Sequence, residues 1–361
     1  MAGLGLLAWA LVADQRWFDA HFLPAFFVSR DAYVRGEWLG RIAAALIGLV
    51  LALVVRPRVG RFVARKPALV LCTGAAVVLA FVTSELILRQ LHVHAAAEEP
   101  FGQEPRRRLD PRLGWTFVPS RAVRHLEGRH EIEYAFDQKG HRVRRLDEPV
   151  DPDRPAILFT GESMMVGEGL AWDDSIPAQV GALLGIQSAN LAVSAYATDQ
   201  AYLRLEAELP QFRDPRAVVA LFAPALFDRN MDDDRPHLGP GLVWQPPAER
   251  WRLLEILRLV VRYRKEETIE RGIAMTRDIL RATCELARSR GALPLVVVPQ
   301  FVPESEEERR LRQRILDGSG LPVERVELDA GWRLPRDGHP DARAARAIAT
   351  AVAARLRAST P

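Results

Sequence analysis

Three stretches near the N-terminus lack the regular polar positions that a water-facing helix or strand carries. From Pro67 to Ser84 there is no charged residue, and the apolar run resumes after Glu85 with Leu86, Ile87 and Leu88. A helix needs about 20 mostly apolar residues to cross the hydrocarbon core, and this segment meets that length. A second run, Ile42 to Val55, extends backwards through Trp38 and Leu39. Arg41 lies near one end of it, where an arginine can snorkel to the headgroups. The third, Met1 to Ala13, is short and is stopped by Asp14, Gln15 and Arg16. It lacks the basic start of a secretory signal peptide, and two longer runs follow it, so a short first span is expected. The pattern predicts a transmembrane anchor over 1–91, with spans near 1–13, 38–55 and 67–88.

The loop between the second and third spans holds Arg56, Arg58, Arg61, Arg65 and Lys66 with no acid. Short basic loops stay cytoplasmic. The third span then runs outward, and everything after Arg89 lies outside the cytoplasm. In a bacterium that is a multi-pass inner-membrane protein with a periplasmic domain, whose first partner is membrane lipid.

Residues 92–112, rich in charge and broken by prolines, read as a tether. In 113–154 the alternation from Glu131 to Phe136 and the turn signal Asp137 to Gly140 predict a small β-rich lead-in. From 155 to 361 the pattern switches to strands separated by helices. Ala156–Thr160, Ala189–Val193, Ala217–Phe222, Leu293–Val298 and Val323–Leu328 read as buried strands. Ile269, Ile273, Leu280, Cys284 and Ala287 share one helix face, as do Ala345, Ile348, Ala349, Val352 and Leu356. Alternating βα units predict an α/β fold, a parallel sheet covered on both faces, with its site at the carboxyl ends of the strands.

Composition sharpens this picture. Of 361 residues, 48% are hydrophobic and 26% charged, and 49 basic side chains face 46 acidic ones. The mean hydropathy of −0.05 is the sum of a lipid-facing part and a charged domain. The near balance of charge, with no basic stripe bearing stacking aromatics, argues against nucleic acid as a partner. Two cysteines, Cys72 and Cys284, exclude a disulfide scaffold or zinc-finger framework.

The first strand of the α/β part ends in Thr160-Gly161-Glu162-Ser163, with Met164, Met165, Val166 and Gly167 following. A serine at such a strand–helix junction can project its hydroxyl and aim its N–H at an oxyanion, although an N-cap serine has the same look. No lysine follows to make a P-loop, and Trp172 stands where a dinucleotide fingerprint needs its third glycine, so no cofactor is expected. Asp337-Gly338-His339-Pro340 precedes the last helix. An aspartate two residues before a histidine can fix its tautomer and leave the other nitrogen as a base. Ser163, Asp337 and His339 then form a possible triad in the chain order of other α/β hydrolases.

Here the sequence resembles the SGNH, or GDSL-type, hydrolases, in their membrane-anchored bacterial form. Gly161-Glu162-Ser163 resembles the family's Gly-Asp-Ser block. Asn190 to Tyr196 resembles the second block, and Asp337 to Pro340 the last; the likeness runs from about Pro155 to Leu356. It implies a three-layer α/β/α domain with a flavodoxin-like parallel sheet. It also implies catalytic Ser163, Asp337 and His339, with an oxyanion hole from the N–H groups of Ser163 and Ala195. Three departures stand out: Glu162 replaces aspartate, Ala195 replaces the oxyanion glycine, and the third block lacks its asparagine, leaving Asn230 as a displaced third donor. Glu162 and Trp244 are the substrate-loop candidates. Asp232, Asp233, Asp234 and His237 read as a solvated acidic turn, so no metal is expected.

These features predict a serine esterase acting on O-acyl esters, with an envelope glycan as the substrate that its location suggests. The alternatives are an O-acyltransferase to an envelope polysaccharide, or a catalytically inactive member that binds a glycan or a partner.

Overall fold

A computed structural model describes residues 1–24, 28–90, 106–127, 130–335 and 338–359. The chain divides into two compact units. In the first, α1 (Ala2–Val12) is followed by α2 (Gln15–His21), capped by Asp14, whose carboxylate accepts from Trp17 N at 2.9 Å. Next, α3 (Arg30–Val50) runs through a π-helical turn, Leu51–Val55, into α4 (Arg56–Arg65); α5 (Pro67–Gln90) completes the set. The 36-residue stretch Arg30–Arg65 and the 24-residue α5 are long and apolar enough to cross a membrane.

Helix α1 lies against α3 with Gly3 facing Gly48. A Cβ on Gly3 would sit 2.7 Å from the Gly48 carbonyl, and one on Gly48 2.8 Å from that of Gly3. Small residues are what let apolar helices approach this closely. Arg41 does not simply snorkel: its Nε donates to the Ala10 carbonyl at 3.1 Å, one of the last-turn carbonyls that a helix cannot satisfy internally. Leu39, Leu46, Leu53, Leu71, Leu79 and Phe81 all point outward and exposed, more apolar surface than a water-facing bundle shows.

The second unit opens with a hairpin, β1 (Arg107–Asp110) and β2 (Gly114–Phe117). Part of the expected tether is therefore folded structure; its residues 92–105 lie outside the described residues. The strands β3 (Arg121–Glu127), β4 (His130–Phe136) and β5 (Arg142–Val143) follow, then β6 (Ala156–Thr160), the short α6 (Ser163–Val166), α7 (Ile176–Leu184), β7 (Gln187–Asn190), α8 (Thr198–Glu208) and β8 (Pro215–Leu221). A second small hairpin is β9 (His237–Gly239) with β10 (Val243–Gln245). After α9 (Arg252–Val260), which belongs to the first unit, come α10 (Glu266–Ser289), β11 (Leu293–Val302), α11 (Glu306–Leu316), β12 (Val323–Asp329) and α12 (Ala342–Ser359).

Eight strands form one sheet in the order β12-β11-β8-β6-β7-β5-β4-β3. The first five are parallel, as expected. The lead-in is not a separate body: β5 joins β7 antiparallel through Arg142 opposite Asn190, and β4 and β3 extend that edge. The strand expected over Ala189–Val193 ends at Asn190, where the side chain turns back to accept from Ala192 N.

Alternate residues of β6 feed the two faces of the sheet, the period of a strand buried on both sides. Ile157 and Phe159 pack with Val180 of α7 and Ala345, Ile348 and Val352 of α12. Ala156 and Leu158 pack with Leu205 of α8 and Ala287 of α10. The chain leaves β6 for β7 on one side and then crosses to β8 on the other. That reversal is a topological switch point, the place where open α/β sheets open a crevice at their carboxyl ends.

A buried histidine ties the lead-in to α8. His141 lies 3.3 Å from Asp137 and 3.6 Å from Glu208, within ion-pair reach of both. Burial opposes its charge, but the two carboxylates outweigh that and raise its pKa. Burial likewise raises Asp137 and Glu208, and His141 outweighs it, so both titrate low. The carboxylates' contribution holds above about pH 4 and is lost as pH falls. The histidine's contribution is complete below about pH 6.5 and is lost as pH rises through its raised pKa. Thermal melts are expected to peak between these limits, and His141→Gln to flatten the alkaline limb. An alkaline limb identical in the variant would contradict the assignment.

Candidate active site

Ser163 stands at the carboxyl end of β6, at the switch point. Gly161 adopts φ of +148°, and a Cβ there would lie 3.1 Å from Leu221 Cβ, so a side chain at that position would be strained and crowded. Glu162 caps α6, accepting from Met164 N at 3.2 Å. Ser163 is the first residue of α6, so its N–H has no intrahelical acceptor.

His339 is brought to Ser163 from 176 positions away: Nε2 lies 2.8 Å from Oγ. Its loop is pinned on three sides. Arg333 pairs with Pro340 in an antiparallel bridge, Leu334 N donates to the His339 carbonyl at 2.7 Å, and Arg333 Nη1 donates to the Gly338 carbonyl at 2.8 Å. The Arg333 guanidinium lies 3.7 Å from the centre of the Phe301 ring at the end of β11. Asp337, expected to orient His339, lies outside the described residues.

Glu162 does more than cap. The Ser163 hydroxyl also lies 2.5 Å from Glu162 Oε2, and Arg229 Nη1 lies 3.7 Å from the same oxygen. The one hydroxyl proton can serve only one of its two neighbours, Glu162 or His339.

Ala195 has φ of +65°, the left-handed conformation that suits glycine and costs an L-residue about 1–2 kcal/mol. The buried Arg235 holds it there, donating to the Ala195 carbonyl at 2.8 Å and to Gln200 Oε1 at 3.2 Å. Among the described residues no acceptor faces the Ala195 N–H, which leaves it available to an oxyanion. Ala195→Gly is expected to keep kcat within about threefold and not lower Tm, since relief of strain offsets the glycine entropy. Ala195→Val should lower both, because a β-branched residue fits that region badly. Equal tolerance of valine and glycine would contradict a fixed left-handed backbone.

Asn230 lines the cleft beside Glu162, and both ends of its amide are engaged. Its Oδ1 accepts from Thr198 N and its Nδ2 donates to Thr276 Oγ1, both at 2.9 Å. That amide is committed to holding the start of α8 against α10. Trp244 is likewise tied elsewhere, its indole N–H donating to the Arg112 carbonyl at 3.0 Å. A small cleft opens beside Glu162, walled by Ala197, Ala201, Leu221, Phe222 and Leu226.

The loop that follows α6 is held by residues that sequence reasoning missed. Arg142, fully buried, donates to the carbonyls of Val166, Gly167 and Leu170 at 2.6–2.8 Å. Its guanidinium and that of Arg106 lie 4.4 and 4.8 Å from the centre of the Tyr134 ring, and the Tyr134 hydroxyl accepts from Gly169 N. Glu168 pairs with Arg106 and accepts from Ser194 Oγ. Burial raises Glu168, but Arg106, Ser194 and His339 outweigh it and hold its carboxyl below the ordinary range. Behind α6, Asn190 Nδ2 donates to the Met165 carbonyl at 3.1 Å.

The fold is a three-layer α/β/α domain with a serine and a histidine in contact at its switch point. No protein-family model and no curated protein matches the sequence. Among solved structures it is similar to a protein described as lipolytic, of the G-D-S-L family, from Desulfitobacterium hafniense DCB-2. That likeness has 13% identity and a TM-score of 0.38, covering 55% of this chain and 98% of the other. It is also similar to a carbohydrate esterase (14%, TM-score 0.37, covering 59% and 68%). A third likeness is to the acetyl xylan esterase Est2A from the rumen bacterium Butyrivibrio proteoclasticus (11%, TM-score 0.34, covering 58% and 66%).

Proposed function

We propose that this chain is an SGNH-type serine esterase, anchored in a membrane, that cleaves O-acyl esters. The observation that carries the reading is the 2.8 Å contact between Ser163 Oγ and His339 Nε2 at the sheet's switch point. In this mechanism His339 takes the Ser163 proton as Oγ attacks the acyl carbonyl. The N–H groups of Ser163 and Ala195 receive the negative charge on the former carbonyl oxygen. The tetrahedral intermediate collapses, His339 returns the proton to the departing alkoxide, and the acyl group stays on Ser163. Water, deprotonated by His339, then releases the acid. Asp337 is the residue proposed to hold the imidazole. No cofactor enters the cycle.

The basic loop Arg56–Lys66 supports an orientation with that loop in the cytoplasm and the α/β domain outside it. An acylated envelope glycan is the substrate class such an address favours. If a sugar hydroxyl replaces water in the second step, the same acyl-enzyme makes the protein an O-acyltransferase.

The test uses the full chain in detergent with p-nitrophenyl acetate, with and without an added oligosaccharide acceptor. Turnover that disappears in Ser163→Ala supports the esterase. Acetylated acceptor at the expense of free acetate identifies a transferase. Absence of both in the folded wild type overturns the enzyme reading in favour of a binding protein.

A further inference from the structure

The segment Glu249–Glu266 is embedded in the α/β half of the sequence yet belongs to the compact unit of the apolar helices. It is fastened at both ends. At its start, the Glu85 carboxylate accepts from Arg252 N at 3.0 Å and Leu253 N at 3.1 Å, and pairs with Arg89. This explains the one acid in α5, which is buried: it caps α9. At its end, Arg264 N donates to the His21 carbonyl at 2.9 Å. There the Tyr263 ring stacks on His21 and Trp17 with centroids 5.2 and 5.9 Å apart.

Glu85 and Arg89 are in the last turns of the apolar α5, and His21 closes α2, the short helix after the apolar α1. The segment thus bridges the end of α5 and the end of α2. Its exposed side chains are of two kinds. Trp251 and Leu254 are 52% and 57% exposed, and Val261 and Tyr263 follow at 48% and 41%. Arg258, Arg262 and Lys265 are exposed beside them, while Glu255 is buried and pairs with Arg252. The segment carries six basic and three acidic residues. Aromatic and apolar side chains flanked by basic ones, at the end of apolar helices, are what a helix lying in the headgroup layer presents.

Resting on the membrane reading above, we propose that Glu249–Glu266 is a membrane-surface element that seats Trp251 and Leu254 in a bilayer carrying anionic headgroups. Continuity with the apolar helices and the excess of basic residues favour lipid over a protein partner.

The experiment uses the full-length chain in lipid nanodiscs, with Cys72→Ala to remove the exposed thiol. A Leu254→Cys variant carries an environment-sensitive fluorophore, and Val78→Cys at mid-α5 carries the same label as a control. Quenching is read with spin labels placed near the headgroup or deep in the acyl chain. The expected result is label 254 quenched at least twofold more by the shallow probe, and label 78 more by the deep one. Replacing phosphatidylglycerol with phosphatidylcholine, or Arg262→Glu with Lys265→Glu, should reduce quenching at 254 and leave 78 unchanged. Quenching at 78 with none at 254 overturns the proposal and leaves the anchor intact. No quenching at 78 overturns the anchor and the proposal with it. A signal at 254 that depends on protein rather than lipid concentration assigns the face to a second copy and also overturns it.

Discussion

Arg142→Met is expected to lower the melting temperature of the α/β domain by about 10–30 °C. Three carbonyls, those of Val166, Gly167 and Leu170, lose a charged donor; among the described residues Val166 keeps only Asn190 Nδ2 at 3.4 Å and Gly167 only the Leu170 N–H. Each hydrogen bond to a charged group is worth about 1.5–3 kcal/mol, and for a domain of this size 1 kcal/mol moves Tm by about 2–4 °C. Methionine keeps much of the aliphatic stem and the contact with Tyr134, so the loss is mainly electrostatic. Burial pushes the guanidinium down to about 10, still charged at neutral pH. Arg142→Lys should fall in between, because one ammonium cannot span three carbonyls as a planar fork does. Circular dichroism melts decide the matter: a change within 3 °C, small by the same scale, would mean the loop is held by something else.

His339→Ala is expected to cut kcat/KM for a short acyl ester by about 10⁴–10⁶-fold, the loss seen when a catalytic base is removed from a serine hydrolase. The fold should be indifferent to it, since His339 sits on a partly exposed loop and its backbone carbonyl makes the loop contact to Leu334. The unchanged melt separates this variant from Arg142→Met. Glu162 gives the prediction an internal control. Its carboxylate is the other acceptor beside Ser163 Oγ. If His339→Ala loses less than about tenfold and adding Glu162→Gln removes the remainder, Glu162 and not His339 is the base.

The parts of this molecule legible in the sequence are those whose signal is local. β6, β8 and β11 hold β-branched or apolar runs and β12 alternates apolar with charged residues, so each strand's place follows from its own residues. Ser163 and His339 were legible because each sits in a short motif beside a strong strand or helix. Ala195 was legible as a position, but its φ of +65° depends on Arg235, 40 residues on, whose reach no local pattern encodes. Arg142 carried no signal of its own within the β-rich lead-in, because its three acceptors lie 24 to 28 residues away. Asn230 was legible as an amide near the site, but its partners, Thr198 and Thr276, are not visible in sequence. The antiparallel extension of the sheet hinges on one register pair, Arg142 with Asn190. Glu249–Glu266 carried no signal of its own, since its partner Glu85 lies 167 positions before Arg252.

The most direct test of the catalytic reading is covalent labelling of the intact full-length protein with a fluorophosphonate, followed by peptide mapping. Such a probe phosphorylates a serine only when a base activates it and an oxyanion hole receives the new oxyanion. The expected result is a single adduct on Ser163, lost in Ser163→Ala and suppressed in His339→Ala while both variants keep the wild-type melt. Folded wild-type protein that takes up no label, or takes it up on another serine, would contradict Ser163 as the nucleophile.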